Sequence, residues 1–220
     1  MIIDLVLVET SQQRYIVKEI IEGHHSYVAS NDSVGRRVDW LIRVDKRIVG
    51  MIGLGSSVYP PPKDLLRAVR MSKNEYKDAF NQFANNWRFC LTESIPNLGT
   101  RVLKLMRKQG PYEWARQYGD DLHWILTFVG DGKPGTVYKA DNWQYVGQTA
   151  GLPPHASCSM KWDTNEALKQ KFVKPTGENR KDIYLKQVEP SDYKPDCKTV
   201  SFDKWFSQTS LSTVGRSGES

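Results

Sequence analysis

Cysteine is scarce in this chain: the 220 residues hold three, Cys90, Cys158 and Cys197, far apart and without Cys-x-x-Cys or Cys/His spacing. That excludes a disulfide framework and a zinc finger, and it points to a reducing, intracellular compartment such as a cytoplasm. Long apolar runs are missing as well. No stretch approaches a membrane span, and the opening run IIDLVLVE carries Asp4 inside it with neither a basic start nor a small-residue cleavage site. A soluble chain with no signal peptide is expected. Internal repeats and low-complexity domains are also absent.

The length fits one domain of about 150 to 200 residues plus a tail, or two small ones, and suffices to bury a core without staples. The formal charge of +6 and pI near 9.1 favour a polyanionic partner, double-stranded DNA among them, without requiring one.

Ile2 to Glu9 reads as a buried strand. Thr10-x-x-Gln13 is a capping box opening a helix with Ile16, Ile20 and Ile21 on one face and Gly23 at its end. A polar, turn-rich loop follows and holds His24, His25 and Tyr27, where ionisable groups can meet a ligand. Asp39–Val44 and Arg47–Ser56 make a hairpin across Asp45-Lys46, and Gly50, Gly53 and Gly55 in its second strand mark a bulge or a closely approaching backbone. After three prolines at 60–62, Lys63 to Asn85 carries helical spacing with Arg67 and Arg70 among its polar positions. Trp87 to Thr92 returns to strand, a helix runs from Thr100, and a second short helix covers Pro111 to Tyr118. Leu122 to Val129 is the most apolar strand and belongs at the centre of a sheet. A mobile turn, GDGKPG, leads to a helical turn with Tyr138 and Asn142 and to a strand from Trp143. Residues 151–206 read as an extension packed on a 1–150 core, with one strand at Ile183–Val188 and Phe172, Tyr184, Trp205 and Phe206 as anchors. Residues 207–220 read as a disordered tail.

The stretch that bears on function is Asn85–Lys108, a strand followed by a Pro-Asn-Leu-Gly turn and a basic amphipathic helix. Unpaired N–H groups of a helix's first turn favour an anion; Gly99 lets a backbone approach and Thr100 can cap or donate. A plain strand–loop–helix connection is the competing reading.

Five motifs in order then match one family: His25-x-Tyr27, RIVGMIGLGSS, NNWRF, IPNLGTRVLKLM, and TFV with GTVYKADNWQYVGQT, together covering about Gly23 to Gln148. The chain resembles the acyltransferase-like proteins of the GNAT superfamily that include the phage Mu DNA-modification protein Mom, with the Druantia A protein as a related branch. The resemblance implies an α/β fold with a mixed, twisted, mostly antiparallel sheet flanked by helices, whose splayed central strands hold an acyl-CoA. The implied pyrophosphate site is Asn97, Leu98, Gly99, Thr100 and Arg101, although Gly99 is the single glycine where the acetyl-CoA signature has several. The implied reaction converts adenine N6 in duplex DNA to its carbamoylmethyl form, which protects DNA from restriction. In it His25 acts as general base or metal ligand beside Tyr27, Arg88 holds an anionic group or developing charge, and Tyr138 protonates a leaving thiolate. Where the family has an aspartate directly after the fifth strand, this chain reads Val129-Gly130-Asp131, so that either Asp131 fills the role by a local shift or the role is absent; whether a metal is used stays open.

Arg36, Arg37, Arg67, Arg70 and Lys139 are the cations expected on nucleic acid, and Trp87, Trp143 and Tyr145 the rings available for stacking on a flipped base. Two other functions are compatible: a GNAT-like acyltransferase acting on a protein, tRNA or small amine, and a non-catalytic DNA-binding component of a defence system. A binding module has no need of a base and a phenol across an anion-binding turn, which favours an enzyme.

Overall fold

The fold grows outward from the Asp45-Lys46 turn. Both residues take left-handed backbone, φ 47° and 71°, the geometry that matches a hairpin to the twist of its strands. β2 (Arg37–Val44) and β3 (Arg47–Ser56) meet across it, with β1 (Ile3–Leu7) added beside β2 and β4 (Phe83–Leu91) beside β3. The computed structural model describes residues 1–24, 35–130, 132–151, 177 and 179–189.

Neighbouring strand residues feed opposite layers, as a period of two requires. Trp40, Ile42, Ile52 and Leu54 belong to one core layer, and the intervening Leu41 and Met51 to another. α1 (Ser11–His24) covers the second layer with Val17, Ile20 and Ile21. Its start is the expected capping box: the Thr10 hydroxyl accepts from Gln13 N–H at 3.2 Å and the Gln13 side chain accepts from Thr10 N–H at 2.9 Å. The helix runs one residue past Gly23, so His24 closes it.

The expected helix over Lys63–Asn85 is broken into pieces. α2 (Lys63–Val69) ends where Arg70 turns left-handed, φ 56°, and α3 (Lys73–Asp78) restarts on a capping box between Ser72 and Glu75. A short 3₁₀ turn, Phe80–Gln82, then delivers the chain to β4 at Phe83, ahead of the expected strand start at Trp87. α4 (Leu98–Tyr118) is one helix of 21 residues rather than two, continuing through buried Gly110 and Pro111. It lies over the opposite face to α1, with Val102, Leu103, Met106 and Trp114 buried there.

β5 (Trp124–Val129), α5 (Thr136–Ala140), β6 (Gln144–Gln148) and β7 (Asp182–Gln187) complete a seven-stranded sheet in the order β1-β2-β3-β4-β5-β7-β6. Every neighbouring pair is antiparallel except β4 and β5. The mixed sheet with helices on both faces is the fold class that the residues and the resemblance imply. One part of the chain sits differently. β7 comes from the segment read as an extension, yet it is hydrogen-bonded between β5 and β6 with Ile183, Tyr184 and Leu185 buried, so this piece belongs to the sheet itself. The anchors Phe172, Trp205 and Phe206, and residues 207–220, lie outside the described residues.

Candidate active site at the fork of the sheet

β4 and β5 run parallel for three pairs, Phe83 with Trp124, Ala84 with Ile125 and Asn85 with Leu126, and no further pairing follows. On its other edge β4 changes register between the Gly53–Arg88 and Leu54–Asn86 pairs, which leaves Trp87 as the extra residue of a bulge. The sequence builds that bulge locally. Trp87 Nε1 donates to Asp39 Oδ1 at 2.9 Å, reaching past β3 at Gly53, where any Cβ would collide with both groups. Burial pushes the Asp39 carboxyl up from its usual range against the pull of its ion partner Arg37. The Trp87 ring lies between two guanidinium groups, Arg37 at 4.1 Å and Arg88 at 4.8 Å.

Where the two strands part, a cleft of about 390 Å³ opens, lined by Asn86, Arg88, Thr127, Tyr138, Lys133 and His24 among others. Tyr138 and Arg88 both line this cleft. The Tyr138 phenol donates to Asn86 Oδ1 at 2.9 Å and lies 3.4 Å from the Thr127 hydroxyl. Asn86 cannot turn its amide round, because Nδ2 donates to Gly53 O at 2.9 Å and Arg88 O at 3.1 Å. Its oxygen therefore faces Tyr138, and the phenolic proton has a fixed direction. Arg88 Nη1 donates to Trp87 O at 2.7 Å, tying the guanidinium to the bulge. Cys90 also lines the cleft, but burial pushes its thiol up and Sγ faces Ile20 O at 3.8 Å, the environment of an inert core thiol.

His25, Tyr27 and Asp131 lie outside the described residues. Their neighbour His24 lines the cleft from the last turn of α1, a residue expected in the loop beside a ligand but not in the catalytic set. Asn86 and Thr127 were missed altogether. Asn86 stands inside the NNWRF motif, but nothing in a single sequence distinguishes a buried, bonded asparagine from a strand-edge one. Among the described residues no three His, Cys, Asp or Glu side chains group as metal ligands.

Asn97, left-handed at φ 59°, stands at the start of α4 and offers no side-chain cap to the first turn. Thr100 donates back to Asn97 O at 3.1 Å, and Leu98 is fully buried. The first turn has no side-chain cap, but Leu98 N–H donates to Ile95 O at 3.2 Å and none of Asn97, Leu98, Gly99 and Thr100 lines the cleft at the fork. Gly99 has another reason to be glycine: an added Cβ would lie 2.6 Å from Val137 Cγ2, so the residue lets α5 approach α4. Arg101 faces away from the fork, into a separate groove along α4. α5 is held a second time by Arg107, whose Nε and Nη2 donate to both oxygens of Asp141 at 2.9 and 2.7 Å. Tyr138 therefore sits between two fixings of its short helix.

The residues expected on nucleic acid do not gather in the cleft. Arg36 pairs with Asp120 and lies over the Tyr118 ring at 4.9 Å, Arg37 pairs with Asp39, and Arg67 pairs with Asp64. Arg70 ends α2 and Lys139 is exposed on α5. Trp143 is not a stacking platform: it is 5% exposed, its ring packs edge-on against Tyr138, and Nε1 donates to Asp141. Of the three rings expected to stack, Tyr145 is exposed and Trp87 is already flanked by arginines.

Residues 2–177 match the family described as Druantia protein DruA. The chain belongs to the DruA family. The match takes in the fork, the bulge and α5 of this DruA-family chain. No curated protein matches it. Among solved structures it is similar to an acetyltransferase from Thermus thermophilus, at 13% identity and a TM-score of 0.46, covering 86% of this chain and 98% of that one. It is also similar to the aminoglycoside 6'-N-acetyltransferase from Enterococcus faecium, at 12% identity and a TM-score of 0.47, covering 88% and 100% respectively. Likenesses at this level establish neither a donor nor an acceptor for the DruA-family chain.

Proposed function

We propose that the protein is a GNAT-like transferase that modifies adenine N6 in duplex DNA to the carbamoylmethyl derivative that the Mom-like resemblance implies. Since a thioester carbonyl would give an N6-acyl group instead, the donor, CoA-linked or related, presents a methylene carbon, and the N6–carbon bond forms as that carbon's bond to its leaving group breaks. The observation that carries this reading is the polar set at the fork: a phenol held by a fixed amide, an arginine anchored on a bulge, and a histidine at the rim of one cleft.

The adenine N6 lone pair is delocalised into the ring, so the amine needs orientation, exclusion of water and a proton acceptor as its new bond to carbon forms. His24, at the cleft and next in sequence to His25, meets the need for an acceptor. Arg88 supplies positive charge where negative charge develops, and its bond to Trp87 O keeps it in place. Tyr138 holds a proton at its phenol oxygen, with the direction set by Asn86. Asn97, Gly99 and Thr100 at the first turn of α4 would hold the diphosphate of a CoA-linked donor, and that donor would supply the activated carbon. The apolar and aromatic walls of the fork, Phe89 and Val137 among them, exclude water from a base drawn out of the duplex.

Plasmid DNA recovered from bacteria that express the protein should resist restriction enzymes whose sites contain adenine, and DNA from cells expressing Tyr138→Phe should be cut. Equal cutting of both would remove the reading.

A further inference from the structure

Resting on the reading of DNA as the acceptor, we infer that the groove along α4, rather than Arg36, Arg37, Arg67, Arg70 and Lys139, receives the phosphate backbone of the nucleic acid. The groove encloses about 780 Å³, twice the cleft at the fork, and Arg101, Lys104, Arg107 and Lys108 line it against one carboxylate, Glu189. Arg107 is occupied by Asp141. Arg101 and Lys104 are exposed and have no ion pair among the described residues, in contrast to Arg36, Arg37 and Arg67, each of which has one; Arg70 and Lys139 share that lack of an ion pair but lie outside the groove. Charges held in internal pairs neutralise few phosphates; uncommitted ones release counterions when DNA binds.

Spacing argues for a polymer over a compact ligand. Arg101, Lys104 and Lys108 recur at intervals of three and four residues, which puts them on one helix face. They span seven residues, about 10 Å at 1.5 Å per residue. One strand of a duplex advances about 3.4 Å per phosphate, so the row covers about three successive phosphates. The first turn of the same α4 lies at Gly99 against Val137 and Phe89, two residues that line the cleft, so the helix lining the groove also abuts the cleft.

The test is fluorescence anisotropy of a labelled duplex oligonucleotide with the full chain between about 50 and 200 mM salt. Arg101→Gln/Lys104→Gln should flatten the slope of log affinity against log salt by about two, so that the fourfold rise in salt weakens binding roughly tenfold less than in the wild type. If the double variant fails to fold by circular dichroism, Lys104→Gln alone should lower the slope by about one. A wild-type slope in the folded variant, or a wild-type chain that does not bind the duplex, overturns the inference. Displacement of the duplex by free CoA at one equivalent also overturns it, because the groove then serves the donor's phosphates. Bound DNA that stays unmodified would count against the transfer reaction and leave the groove standing.

Discussion

Gly99 and Val137 share a space that cannot hold a side chain from both. Gly99→Ala would set a Cβ 2.6 Å from Val137 Cγ2 and should cost about 1–3 kcal/mol by overpacking. Gly99→Ala/Val137→Ala should recover most of that loss in chemical denaturation. A double variant as unstable as Gly99→Ala would mean that the glycine serves something other than helix packing. At Asn86 the expectation is larger. Asn86→Ala leaves the Gly53 and Arg88 carbonyls and the Tyr138 phenol short of a partner, at a cost of about 2–4 kcal/mol for the set. Tyr138→Phe removes one hydroxyl and should cost about 1 kcal/mol while abolishing modification. Stability separates the two residues, since the proposed reaction should suffer from the loss of either. Arg88 and Tyr138 could be singled out in the sequence because they stand in motifs. Asn86 was not, because its importance comes from three bonds to residues 33, 2 and 52 positions away in the chain.

At the scale of elements, what read correctly was what local chemistry decides. The Asp45-Lys46 hairpin and the Thr10-Gln13 cap are encoded within a few residues, and the structure has both. The break between α2 and α3 was also local, in Ser72-Lys73-Asn74-Glu75, but apolar spacing running through it masked the restart. Ser72→Ala should destabilise the protein by about 1 kcal/mol through loss of that cap. Behind α3, burial pushes the Tyr76 phenol up to about 12, against the opposing hydrogen bond from Ser57. An acid whose folded-state value is raised contributes stability that is whole below the unfolded tyrosine value, about 10, and is lost as pH climbs toward and through the folded one. Unfolding free energy should therefore fall between pH 10 and about 12, and Tyr76→Phe should flatten that fall. An identical alkaline profile in the variant would contradict the assignment.

Over the whole molecule the strand that could not be placed by reading along the chain is β7. Composition beyond residue 150 looks unlike a core, yet Ile183, Tyr184 and Leu185 fill the sheet between β5 and β6, a pairing decided by long-range registry. A chain ending before Asp182 would bare two strand edges and the ring of Tyr138, which stacks on Tyr184 at 5.8 Å between centroids. Such a chain should be insoluble or unfolded, as solubility and far-UV circular dichroism would report. The fork itself is a property of this sheet as a whole: an antiparallel half and a β5-β7-β6 half joined by three parallel pairs. The central claim is that this fork is the seat of group transfer to adenine in DNA. Mass spectrometry of nucleosides from bacteria expressing the protein tests it most directly. The account predicts a deoxyadenosine heavier by a carbamoylmethyl group that disappears with Tyr138→Phe. Deoxyadenosine of ordinary mass throughout, with the wild-type protein folded and abundant in the same cells, would contradict it.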